Sequence, residues 1–134
     1  MTPNRPSFYE IMVSIGHHLP EGRKCFDYSP EKLNNFFYHQ TKKRPQTLVG
    51  LAFDWDGMFP TSDEISQGML IMTSTRLLVS LSDRSHEYYF TDASEQAYEE
   101  FAGRRLTPQH RAAIEQIARE FDAELAKNQR IRFV

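Results

Sequence analysis

The sequence predicts an α+β domain, with a central antiparallel sheet of four to five strands and N-terminal and C-terminal helices packed on one face. Three observations predict it. Apolar residues recur at helical spacing at both ends of the chain, from Phe8 to Leu19 and from Ile114 to Leu125. Runs rich in β-branched, aromatic and other apolar residues fill the middle, at Thr47–Trp55, Gly68–Thr73, Leu77–Ser82 and Glu87–Thr91. The links between the last three runs are too short for the crossover that a parallel pair requires, so the strands are read as antiparallel. A length of 134 residues fits one domain spanning the whole chain.

Each element has a local reason. Ser7 and Glu10 have capping-box spacing, and Phe8, Ile11, Met12, Ile15 and Leu19 share one helical face behind them. Pro20 marks the latest end of that helix. Cys25 to Tyr28 reads as a short strand. Ser29-Pro30 then supplies a cap and a first-turn proline, and Leu33, Phe36 and Phe37 give the following helix its apolar face. Lys42-Lys43-Arg44-Pro45 ends it. Ser74-Thr75-Arg76 is read as a tight turn between two strands. Asp92 opens another helix, with Glu95 three residues on and Gly103 as its stop. Thr107-Pro108 repeats the cap-then-proline pattern before the stripe Ile114, Ile117, Ala118, Phe121 and Leu125.

Charge and cysteine content narrow the function classes. A net charge of -2 gives no global field for a polyanion, so nucleic acid would need the local run Lys42, Lys43 and Arg44. The single cysteine, Cys25, has no internal disulfide partner, which points to a reducing compartment, the cytoplasm. Met1 to Ser7 lacks a charged region leading into an apolar run, so no signal peptide is expected. The apolar stretch Gly68–Leu81 is too short and too polar for a transmembrane segment.

Leu51-Ala52-Phe53-Asp54-Trp55-Asp56-Gly57 is the sharpest local motif. An apolar strand ending in Asp-x-Asp-Gly resembles the first motif of the haloacid dehalogenase-like phosphohydrolases. The resemblance implies Asp54 as nucleophile, Asp56 as general acid and base, Mg²⁺ as cofactor, and Thr73 or Ser74 as the second motif. It also implies a parallel, doubly wound sheet. Several expected parts are missing: residues 58–67 are too few for a crossover and carry Pro60, and the only lysine after Lys43 is Lys127.

Gly68-Met69-Leu70-Ile71-Met72-Thr73-Ser74-Thr75-Arg76-Leu77-Leu78-Val79 is similar to the hairpin of GRAM and related pleckstrin-homology-like domains. That resemblance implies a small antiparallel barrel closed by a C-terminal helix and a lipid or protein ligand.

The remaining reactive side chains form no local motif. His17 and His18 are adjacent on a helix and so point about 100° apart, unsuited to one metal. His39, His86 and His110 are scattered, without zinc-type spacing. Cys25 reads as a small buried residue at a strand start, although Arg23 and Lys24 would favour its thiolate if it were exposed.

By elimination the sequence favours a non-enzymatic protein-binding module, such as an adaptor, inhibitor or immunity-type protein, with no cofactor. The expected contact surface is the aromatic-acidic loop of Asp54, Trp55, Asp56, Phe59, Asp63 and Glu64, together with Tyr89, which alternation places on the face opposite Tyr88 and Phe90. The alternative is the Mg²⁺-dependent phosphohydrolase at Asp54 and Asp56.

Overall fold

The computed structural model describes residues 5–22, 24–80 and 87–132, with side chains as far as residue 126. Arg23, Leu81, Ser82, His86, Met1 to Asn4 and the side chain of Lys127 lie outside the described residues. Along the chain run α1 (Phe8–His18), β1 (Cys25–Asp27), α2 (Pro30–Lys43) and α3 (Asp63–Ser74). Then come β2 (Leu78–Ser80), β3 (Glu87–Phe90), α4 (Asp92–Ala97), α5 (Gly103–Arg105) and α6 (Pro108–Arg132). A π-helical turn, Tyr98–Ala102, carries α4 into α5.

The architecture is α+β but mostly helical, and this corrects the predicted central sheet of four to five strands. Among the described residues the sheet has three short antiparallel strands in the order β1-β3-β2. The middle of the molecule is α1, not the sheet. Phe8, Ile11, Met12, Val13 and Ile15 of α1 are all buried, as are Glu10, Ser14 and Gly16. A helix apolar around its circumference belongs inside a core. Helices α3, α4 and α6 and the π turn all pack on it. The cap is the one the spacing predicts: the Ser7 hydroxyl accepts from the Glu10 N–H, and the Glu10 carboxylate accepts from the Ser7 N–H.

Two of the predicted strands are not strands. Over Thr47–Trp55 the chain turns, with the Leu51 N–H donating to the Leu48 carbonyl at 3.0 Å, and it buries Thr47, Leu48 and Leu51. A strand needs a neighbour for its backbone groups, and among the described residues only Asp54 of this segment has one, in an isolated bridge to Thr61. Gly68–Thr73 lies inside α3, where Ile65, Gly68 and Met72 are buried at i, i+3 and i+7. Asp63 and Glu64 in the first turn favour that helix through its dipole, and Met and Leu are good helix formers. A Cβ on Gly68 would stand 2.4 Å from the Phe8 ring, so glycine sets how closely α3 meets α1.

The hairpin behind the pleckstrin-homology-like resemblance is therefore not formed, because its first half is helix. Thr75 and Arg76 do turn the chain, but from α3 into β2, with Arg76 in the left-handed region at φ 62°. Nor does Gly103 stop the fourth helix. The π turn continues through it to Arg105, and a Cβ there would meet Tyr98 at 3.0 Å.

Strand parity sorts the sheet into two faces. Phe26 pairs with Tyr88, and Leu78 with Phe90. Phe26 packs edge-on to Phe121 of α6 at 5.4 Å, and Phe90 fills the space beside Gly16 of α1. The opposite face carries Cys25, Tyr89 and Val79, paired across the strands and exposed. The predicted burial of Cys25 is thus reversed, since the neighbouring Phe26 takes the inward position. No helix among the described residues is long and apolar enough to cross a membrane.

Candidate functional site

The loop between the Leu48 turn and α3 is held at its base by backbone-directed hydrogen bonds. Asp54 and Thr61 exchange both of theirs, at 2.8 and 2.9 Å. The Glu64 carboxylate accepts from the Ala52 N–H at 2.8 Å and from the Ser62 hydroxyl at 3.1 Å. The bond from Ala52 leads in holding the Glu64 carboxyl below its ordinary pKa. The buried Asn34 side chain of α2 accepts from the Ser62 N–H at 2.9 Å.

Above that base the tip reaches solvent. Trp55 is 58% exposed and Met58 97% exposed, and Asp54, Asp56 and Asp63 are exposed beside them. Phe59 is half-buried. One edge of Trp55 rests on Tyr38 of α2, with ring centroids 5.5 Å apart and planes at 84°. Phe53 takes a similar edge contact on the same tyrosine at 5.4 Å, and the Lys42 ammonium sits 4.6 Å from its ring centre.

The structure thus joins Asp54, Trp55, Asp56, Phe59 and Asp63 in one loop, and gives Glu64 an internal task at its base. It does not bring Tyr89 to them. Tyr89 lines a separate cavity of about 550 Å³ beside Gly16, His17, Cys25 and Glu95. Met58, the most exposed large apolar side chain among the described residues, was not singled out in the sequence, where an isolated methionine in a polar loop carries no periodic signal.

The enzyme motif loses its frame. The sheet is antiparallel and does not include Asp54 or Asp56. Thr73 and Ser74 lie near the end of α3, where the Thr73 hydroxyl donates to the Met69 carbonyl. Among the described residues no three His, Cys, Asp or Glu side chains gather as a metal-binding group.

Two cations of the basic run are occupied. Lys43 and Arg44 both reach Glu120 of α6, at 2.6 and 2.7 Å. Burial opposes ionisation of Glu120, but hydrogen bonds from Lys43, Gln40 and Arg44 outweigh it and hold its carboxyl at about 2. Lys42 sits over the Tyr38 ring of its own helix.

In the cavity near Tyr89, His17 Nδ1 lies 2.7 Å from the Glu95 carboxylate, and its ring stacks on Tyr98 at 3.8 Å. The π turn places Tyr98 there, a contact invisible in sequence because the residues are far apart along the chain. The Lys24 ammonium caps the end of α1, donating to the carbonyls of Gly16 and Leu19 at 2.7 Å. Burial, then the His17 charge, lowers the pKa of His18. Burial and then the Glu87 carboxylate push the Cys25 thiol up, the opposite of what a nucleophile needs. His110 Nδ1 meets the Thr47 hydroxyl at 2.9 Å, and His39 touches Tyr38 edge-on.

No protein-family model, curated protein or solved structure matches this chain.

Proposed function

We propose that this chain is a non-enzymatic protein-binding module, an adaptor, inhibitor or immunity-type protein, that docks another protein through the loop from Asp54 to Asp63. Trp55 and Met58 are its apolar anchors, and Asp54, Asp56 and Asp63 its charged rim. The observation that carries the reading is a mostly exposed indole at the tip of a loop whose base is fixed by hydrogen bonds. Covering a large apolar side chain contributes roughly 1.5–3 kcal/mol. A loop already ordered loses little further entropy when it binds. Aromatic anchors rimmed by polar groups are the usual anatomy of binding hot spots.

The test is affinity capture from the source cell with the intact chain and with Trp55→Ala/Met58→Ala, followed by binding of the purified partner. The double variant should keep its fold and lose the partner by at least about tenfold, from two anchors each worth more than 1 kcal/mol. Undiminished binding would remove the loop from the interface. A phosphate ester turned over with Mg²⁺, with turnover abolished by Asp54→Asn, would replace this reading with a hydrolase.

A further inference from the structure

We propose that the partner of the loop from Asp54 to Asp63 is a basic protein surface whose central contact is an arginine laid on Trp55. This rests on the reading of the loop as the docking surface, and it names the chemistry of what docks there.

Charge complementarity selects a cation. From Asp54 to Asp63 the chain carries three carboxylates and no cation. Asp54, Asp56 and Asp63 are all exposed, and among the described residues none of them has an ion pair. Glu64 differs, being held by the Ala52 N–H and the Ser62 hydroxyl. The whole chain has a net charge of only -2, so the negative field at this loop is the loop's own. A partner surface of opposite sign is favoured there, and phosphate groups are repelled.

The aromatic part decides which cation. Trp55 meets Tyr38 at 84° and still leaves 58% of its surface open. Indole is the best aromatic face for a cation. The Lys42 ammonium stands 4.6 Å from the centre of the Tyr38 ring, so the ring that supports Trp55 already holds a cation within the chain. Lys42 is one charge against three carboxylates, and Lys43 and Arg44 are turned to Glu120. Asp54 and Asp56 flank Trp55 in the chain. A guanidinium is flat enough to lie on an indole while its fork donates to a carboxylate, whereas an ammonium acts as a point charge.

The experiment titrates the intact chain with end-blocked hexaarginine, hexalysine and hexaglutamate peptides at low salt, read by backbone-amide NMR and by the indole signal of the single tryptophan. Hexaarginine should give saturable shifts over residues 54–58 and at the indole, and should bind about threefold more tightly than hexalysine. Hexaglutamate should not bind. Trp55→Ala should weaken hexaarginine about fivefold. Asp54→Asn/Asp56→Asn/Asp63→Asn should weaken it about tenfold, with an unchanged circular dichroism spectrum. Salt at about 0.3 M should have a similar effect on the parent chain. The proposal is overturned by shifts centred on the exposed pair Glu99 and Glu100 instead of the loop, by equal binding of hexalysine, or by an affinity indifferent to the Asp→Asn changes. If hexaarginine ignores the loop while Trp55→Ala/Met58→Ala still loses its captured partner, the loop docks a partner that is not basic. If that double variant keeps its partner, the docking reading falls and this proposal falls with it.

Discussion

Gly68 of α3 lies against Phe8 of α1 so closely that a methyl group on it would stand 2.4 Å from the ring. The whole approach of the two helices rests on that missing side chain. Gly68→Ala should therefore destabilise the protein by about 1–3 kcal/mol, the usual cost of overpacking, against at most about 1 kcal/mol gained in helix propensity. Urea unfolding measures it. Gly57→Ala is the control: its Cβ would meet nothing within 4 Å, and it should move stability by no more than about 0.5 kcal/mol. Equal effects from the two would deny the close packing of α3 on α1.

Acid should act through Glu120. Its carboxyl ionises at about 2 in the fold against an ordinary 4.5. A depressed carboxylate pKa adds stability that is complete above the unfolded value and lost as pH falls through the folded one. The loss should run from about pH 5 to pH 2. The side chain is one-third exposed, so solvent screening limits the contribution to on the order of 1 kcal/mol. Glu120→Gln should lower stability at pH 7 and flatten this part of the pH profile. A profile identical to that of the parent would show that the Lys43–Arg44–Glu120 cluster contributes nothing.

Glu64→Ala should loosen the binding loop without unfolding the core. It removes the acceptor for the Ala52 N–H and the Ser62 hydroxyl, while the aromatic core does not use it. Amide exchange should quicken over residues 52–61, with global stability lowered by no more than about 1–2 kcal/mol. Partner binding through Trp55 should weaken, because the ordering of the loop is then charged to the complex. Unchanged exchange in that segment would argue that the bridge between Asp54 and Thr61 suffices alone.

His17→Ala should cost more than Glu95→Gln. The first removes both the 2.7 Å pair that ties α1 to α4 and the ring stacked on Tyr98, whereas the second removes only the carboxylate charge, because a glutamine oxygen still accepts from Nδ1–H. A partly exposed ion pair contributes up to about 1 kcal/mol, and a stacked ring pair about 0.5–1.5 kcal/mol more. Chemical denaturation of the two variants and the double variant gives the ordering. Equal costs would mean that the stack is inert.

Much of the helical frame was legible because its signals are local. Ser7 with Glu10, Ser29 with Pro30, and Thr107 with Pro108 mark helix starts through hydrogen bonds and dihedral angles set within one turn. Thr91, one residue before the expected Asp92, caps α4. In the third strand, alternation placed Tyr89 opposite its neighbours. The loop residues Asp54, Trp55 and Asp56 were likewise found together because they are sequence neighbours.

The errors fall where burial overrules the local pattern. Gly68-Met69-Leu70-Ile71-Met72 is apolar enough for either a strand or a helix, and packing Ile65, Gly68 and Met72 against the core chose the helix. Thr47–Trp55 has strand composition but, among the described residues, no strand to pair with, and it turns and buries Leu48 and Leu51 instead. The sequence by itself determined the helix starts, the alternation in β3 and the aromatic-acidic content of the loop, since each depends on residues within a few positions. Only the tertiary structure decided that α1 rather than the sheet is the core, that Tyr89 and Trp55 lie apart, that His17 meets Glu95 and that the Tyr28 hydroxyl finds no partner among the described residues. Each of those rests on contacts between residues distant in the chain, where the competition for buried space is settled by the whole fold at once.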